Sequence, residues 1–140
     1  MKFNKLIPEL SVSDFEKSLR FYKELLGFRV EYSREESKFA FLSFNGSQIM
    51  IEQTKSGWLT GELGYPFGRG VNFQIEVKSI KPLLSLLKAN DYPVFIEPQD
   101  NWYRQGDRLL GNKEFLVKDP DGYLLRFFEN LGSRKLKSRK

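Results

Sequence analysis

The sequence predicts an α+β protein in which two tandem β-α-β-β-β modules, about residues 1–53 and 70–130, form a curved mixed sheet around a cavity with the helices outside. Three observations carry that prediction. The two halves repeat: Leu10, Val12, Phe15, Leu19 and Tyr22 match Ile75, Val77, Ile80, Leu84 and Leu87 at an offset of 65, and Gly46, Ile49 and Ile51 match Gly122, Leu125 and Phe127 at an offset of 76. The hydrophobic periodicity runs in the same order in each half, strand, helix, strand, strand, strand. Finally, the sheet of one such unit cannot bury both faces alone, so two units must pair.

Residues 6–12 alternate in character as a short half-buried strand does. Ser13-Asp14-Phe15-Glu16 reads as a capping box, with the hydroxyl at the N-cap and the carboxylate three residues on. Phe15, Leu19, Tyr22 and Leu26 follow at helical spacing, and Gly27 supplies a left-handed stop after about three turns. Residues 28–32 and 39–44 read as strands, Asn45-Gly46 as a hairpin turn, and 48–53 as the return strand. Residues 54–69 hold five glycines or prolines and little periodicity, the mark of a long connection.

In the second half, 71–77 alternates again. Ser79 is placed to cap a helix whose first turn tolerates Pro82 and whose buried stripe is Leu83, Leu84, Leu86 and Leu87. Strand character resumes at 92–96, residues 98–111 read as a second long loop, and 114–118 leads into the turn Asp119-Pro120-Asp121-Gly122. Residues 123–128 make the last strand.

Composition narrows the chemistry. The 140 residues, 40% of them apolar, fit one domain, about residues 1–132, with 133–140 as a basic C-terminal tail. There is no cysteine and no histidine. Disulfides, thiolate chemistry, serine–histidine catalysis and cysteine or histidine metal sites are thereby excluded. No acidic run resembles an EF-hand, so neither a metal nor a cofactor is expected. The net charge of +5 sits at the end: residues 134–140 hold five cations, and the remainder has eighteen basic against eighteen acidic residues. A neutral body predicts no specific nucleic-acid binding, and the basic end reads as solvated. No apolar run approaches a membrane span, and the first residues, Met1-Lys2-Phe3-Asn4-Lys5, do not form a signal-peptide core, so a soluble cytoplasmic protein is expected, with no membrane partner.

Particular motifs resemble a known superfamily. Leu10-Ser11-Val12-Ser13-Asp14 and Phe21-Tyr22-Lys23-Glu24-Leu25-Leu26-Gly27-Phe28 are similar to the first strand and helix of the glyoxalase/bleomycin resistance/dioxygenase, or vicinal oxygen chelate, superfamily. The run from Glu114 through Asp119-Pro120-Asp121-Gly122 to Phe127 resembles the closing hairpin of its bleomycin-resistance branch. The resemblance spans residues 6–129. It implies a metal held near four equivalent points of the two repeats in the enzymes, and those points fall here on Ile7, Met50, Asn72 and Arg126. Two are apolar, one is neutral and one is a fixed cation, so a metal-dependent activity is not expected.

Strand parity points the same way independently. If Ile49, Ile51, Phe73, Ile75, Leu125 and Phe127 face the helices, then Gln48, Met50, Glu52, Asn72, Gln74, Leu124, Arg126 and Phe128 face away and form a mixed surface suited to a ligand. The loops add Trp58, Tyr65, Phe67, Trp102 and Tyr103, stacking surfaces for a planar molecule. The resemblance implies a homodimer that sequesters a flat, cationic, bleomycin-like antibiotic between subunits, without turnover. The expected ligand contacts are Phe39, Trp58, Trp102 and Tyr103 as stacking groups, Met50 as an apolar wall, and Glu52, Asn72 and Arg126 as polar groups. The alternative is a divergent superfamily enzyme, of lyase or dioxygenase type, with an oxygen-ligand metal site around Glu9 and Glu52.

Overall fold

The computed structural model describes residues 1–53 and 58–137. Of the segments named above, positions 54–57 of the first long connection and 138–140 of the basic end lie outside the described residues.

Each half folds as the repeat requires. The first module comprises β1 (Glu9–Ser11), α1 (Phe15–Arg20) continued by a π-helical turn (Phe21–Leu25), β2 (Arg29–Arg34), β3 (Phe39–Phe44) and β4 (Ser47–Glu52). The second comprises β5 (Asn72–Glu76), α2 (Lys81–Ala89), β6 (Ile96–Gln105), β7 (Arg108–Lys118) and β8 (Leu124–Lys135). The result is an α+β fold of two four-stranded mixed sheets, ordered β1-β4-β3-β2 and β5-β8-β7-β6, which are not closed into a barrel. The register reproduces both sequence offsets. Glu9 lies beside Met50 and Leu10 beside Ile51 in the first parallel pair, and Gln74 lies beside Arg126 and Ile75 beside Phe127 in the second.

One apolar core serves both modules. Leu10, Ile49, Ile51, Ala40 and Leu42 of the first sheet join Ile75, Phe115, Val117, Leu125 and Phe127 of the second, with Phe15, Phe21, Tyr22, Leu83 and Leu87 from the helices. Phe44 meets Phe127 edge-on at 6.1 Å between ring centres, and Phe21 packs on Tyr92 at 4.8 Å. The helices therefore cover the same face of each sheet, and the alternate residues of every strand are left on the other face.

Several boundaries differ from the sequence reading, each for a local reason. The helix cap is Asp14, whose carboxylate accepts from the Lys17 N–H at 3.2 Å. Ser13 does not cap; its N–H and hydroxyl both donate to the Asp121 carboxylate, a tertiary partner that no local pattern reveals. Ser79 Oγ accepts from the Lys81 N–H, but the first helical position belongs after Ile80, whose N–H donates to Glu129. Residues 92–95 are not strand. The largest difference is at 98–111, which is not a loop: β6 and β7 are joined by Gly106-Asp107 alone, with Gln105 opposite Arg108 and Gly106 at φ +63. Glycine first in a two-residue loop is the type II′ pattern, whose twist suits a hairpin. The long β7 then pairs β8 out to Lys135, so the last strand runs seven residues past Phe128 and takes in the first part of the basic end.

The closing turn is where the modules are knitted together. Asp119 accepts from the Tyr22 hydroxyl at 2.8 Å and from the backbone N–H groups of Asp121 and Tyr123 at 2.9 Å. Gly122 has φ +96, and a Cβ there would stand 2.5 Å from Pro66 Cβ and 2.6 Å from its Cα. Gly122→Ala is expected to cost about 2–4 kcal/mol, from left-handed strain together with a clash against backbone. Gly46→Ala, at φ +84 with open space around it, should cost about 1–2 kcal/mol. Urea midpoints of the two variants check this; equal losses would mean that Pro66 moves freely.

Candidate functional site: a cleft on the open face of the second sheet

The faces turned away from the core have opposite fates in the two modules. On the first sheet, the chain's own N-terminal residues lie across the polar face. Gln48 donates to the Lys2 carbonyl and accepts from the Asn4 N–H, and Phe3 meets Phe41 edge-on at 5.3 Å. On the second sheet the equivalent face is open and forms a cleft of 680 Å³. Tyr103, Leu110 and Phe128 give it apolar walls, Gln74, Asn112 and Asn130 give it amides, and Glu76 and Arg126 give it charge. Apolar walls with a few convergent polar groups are the usual composition of a small-molecule site.

Strand alternation places these groups. Gln74 and Glu76 of β5 stand beside Arg126 and Phe128 of β8, and Glu114 of β7 stands opposite Phe128. A bulge between Gly111 and Asn112 then shifts the register. Glu114 lies under the cleft, 1% exposed. Its Oε2 accepts from the Asn101 side-chain amide at 2.7 Å and from the Tyr103 hydroxyl, and its Oε1 lies 3.3 Å from Arg126 Nε. Taking a carboxylate out of water is costly unless a cation and hydrogen bonds accompany it, and here both do. The bond to Glu114, then partial burial, raises the Tyr103 phenol pKa above its ordinary value, so the phenol remains a neutral donor.

The residues expected from sequence to share one site are divided among several places. Tyr103 and Arg126 meet in the cleft. Asn72 is exposed at the start of β5, on the cleft side of the strand but outside the lining. Phe39, Met50 and Glu52 lie on the first sheet, where Phe39 pairs with Glu52 and Phe41 with Met50. The strand Phe39–Phe44 turns Ala40 and Leu42 to the core and Phe39 and Phe41 to the other face. Phe39 is not an open stacking surface: it is buried, with the Arg34 guanidinium 3.9 Å above its ring. Trp58 is 97% exposed on the first long connection.

Trp102 faces away from the cleft. Alternation along β6 puts it on the side opposite Tyr103, with its ring flat on Gly111 and the Arg134 guanidinium 4.0 Å above. A loop at 98–111 would leave both rings free to share one site, whereas a strand forces neighbouring aromatic residues to opposite faces. The strand also brings in Leu110, which a loop reading does not place, in line with Asn112 and Glu114 further along β7. The Gly106-Asp107 hairpin signal, flanked by Asn101-Trp102-Tyr103 and Leu109-Leu110, is the pattern that points to them.

The four positions that the resemblance equates with the superfamily's metal points carry side chains ill suited to a divalent ion. Ile7 and Met50 fall in the first module, Asn72 and Arg126 in the second, and Arg126 carries a cation already braced by Glu114. Among the described residues, no group of three histidine, cysteine, aspartate or glutamate side chains converges. No described helix is long and apolar enough to cross a membrane.

Paired β-α-β-β-β modules with a ligand-sized cleft on a sheet face define a class, and the chain belongs to it: residues 6–127 match the glyoxalase/bleomycin resistance protein/dioxygenase superfamily. Within it, the chain is 30% identical to a bleomycin resistance protein from Geobacillus stearothermophilus, over 91% of its own length and 97% of the relative's. It is also 28% identical to a probable lactoylglutathione lyase from Vibrio parahaemolyticus, over 86% of each chain. The crystal structure of TioX from Micromonospora sp. ML1 has the same fold, with a TM-score of 0.71 at 18% identity over 92% of this chain and 100% of that one.

Proposed function

We propose that this chain binds a bleomycin-type antibiotic and protects by stoichiometric sequestration, without a metal and without turnover. The observation that carries the reading is the open 680 Å³ cleft, in a chain 30% identical over nine-tenths of its length to proteins named for bleomycin resistance. Tyr103, Leu110 and Phe128 offer a planar ring system apolar surface, and the amides of Gln74, Asn112 and Asn130 offer directional hydrogen bonds. Glu76 supplies attraction for a cationic ligand. We place the protein in the cytoplasm as a homodimer. Met50 and Glu52 lie on the sheet that does not carry the cleft, so a second copy would supply them, with Trp58, as the remaining wall. Trp102 contributes indirectly, by stiffening the hairpin that bears Tyr103.

Isothermal titration with copper-loaded and metal-free bleomycin tests the assignment. One drug molecule per chain, bound at micromolar concentration or below and recovered chemically unchanged, is the expected result. Absence of heat at micromolar drug, or recovery of a modified drug, overturns it. A lyase-type enzyme is the second reading, supported by the 28% relative and by Glu9 and Glu52, whose strand positions put both carboxylates on one face of β1 and β4. A stoichiometric divalent ion in the purified protein would favour it.

A further inference from the structure

We propose that Arg126 is an oxyanion-recognition group and that the cleft selects a planar molecule bearing a carboxylate; this rests on the reading of the cleft as a small-molecule site. The geometry starts with Glu114. That carboxylate is buried, and its Oε2 is already occupied by Asn101 and Tyr103. Only Oε1 remains for Arg126, and it approaches Nε at 3.3 Å without forming a hydrogen bond.

The pair is therefore a brace and not a two-point clasp. Nε is buried while 27% of the Arg126 side chain is exposed, which leaves the terminal Nη edge for the cleft that the residue lines. No side-chain hydrogen bond among the described residues is donated by Arg126. A guanidinium fork held by its inner nitrogen and unpaired at its outer edge matches the two oxygens of a carboxylate.

The surroundings refine the ligand class. Gln74, Asn112 and Asn130 are neutral and can donate, and Tyr103, Leu110 and Phe128 provide ring-sized apolar surface. The charged side chains on or beneath this lining are Arg126, Glu114 and Glu76. Glu114 offsets part of the Arg126 charge, and Glu76, two residues along β5 from Gln74, adds a second negative charge on the cleft. These three charges sum to −1, so recognition of a carboxylate rests on the local fork of Arg126 and not on the overall field of the cleft, and a dianion such as a phosphate monoester is opposed more strongly than a monoanion. A protonated amine elsewhere on the same ligand would find Glu76.

The test uses four probes of one shape: benzoate, benzamide, benzamidine and phenyl phosphate, titrated into the full chain by 1H–15N correlation spectroscopy. Benzoate should shift the amides of Arg126, Gln74 and Asn112 to saturation and bind at least about tenfold more tightly than the other three, the equivalent of ~1.4 kcal/mol. Arg126→Lys should keep the order with weaker binding, because the charge survives and the fork does not. Arg126→Gln should erase the advantage of benzoate. Saturation by benzamidine or phenyl phosphate at equal or lower concentration, or no saturable benzoate binding to the unmodified chain, overturns the proposal. Failure of bleomycin to bind while benzoate keeps its rank overturns the drug assignment alone; bleomycin binding with benzamidine preferred overturns this inference alone.

Discussion

Asp119→Ala is expected to cost the fold about 3–5 kcal/mol, because three donors lose their acceptor together in a buried site. The Tyr22 hydroxyl, wholly buried on the π-helical turn of the first module, would be stranded, as would the N–H groups of Asp121 and Tyr123. The loss falls where the two modules meet, so one cooperative urea transition at a lower midpoint is expected, not separate unfolding of one half. Retention of the parent midpoint would show that Asp119 carries no such load.

Asp119→Asn should behave differently, and the difference depends on pH. Burial raises the Asp119 carboxyl from its ordinary 3.8 to about 6, with the Tyr22 and backbone hydrogen bonds acting in the opposite direction. An acid whose folded pKa lies above its unfolded value holds its proton more tightly in the native state. Its stabilising contribution is full below about pH 4 and is lost as pH rises through about 6. Between pH 4.5 and 7.5 the parent should lose about 2 kcal/mol relative to Asp119→Asn, whose amide cannot ionise. Equal urea midpoint shifts for parent and variant across that range would refute the assignment.

Arg126→Met is the other large effect, at about 3 kcal/mol or more. It removes the cation from a carboxylate that is 1% exposed, and an uncompensated buried charge costs more than the pair contributes. Glu114→Gln in the same background should recover most of the loss, since the amide oxygen can still accept from Tyr103 and Asn101 and no charge remains to be solvated. A double-variant cycle measured by urea denaturation gives the coupling between the two positions. Additive losses, with no recovery in the double variant, would show that Glu114 draws its compensation from elsewhere.

Outside the β6–β7 hairpin, most of the periodic pattern is legible in the sequence alone. The offsets of 65 and 76 anticipate the shared register, so Gln74 beside Arg126 repeats Glu9 beside Met50. Turns with strict dihedral demands are equally readable: Asn45-Gly46 carries φ +47 and +84, as a hairpin of that type requires. Strand alternation sorts Gln74, Arg126 and Phe128 correctly onto the face away from the core, because a period of two leaves no third option once one neighbour is buried.

The site is legible only in part. Arg126 and Tyr103 are both expected there and do meet, whereas Trp102 is expected beside Tyr103 and lies on the other face of β6. Ser13 has the pattern of a local cap and serves Asp121 instead, 108 positions away.

What the sequence by itself determined about this protein is therefore its family-level architecture: two repeated modules and the core-facing residues of most strands. Tertiary structure decided which polar face is open. Gln48 and Arg126 both stand on faces turned from the core, but Gln48 is covered by the chain's own N-terminal residues while Arg126 lines the cleft. It also decided that Glu114 would be buried beneath Arg126. Periodicity is a property of neighbours along the chain and can be read there; cover and charge pairing depend on segments brought together only by folding.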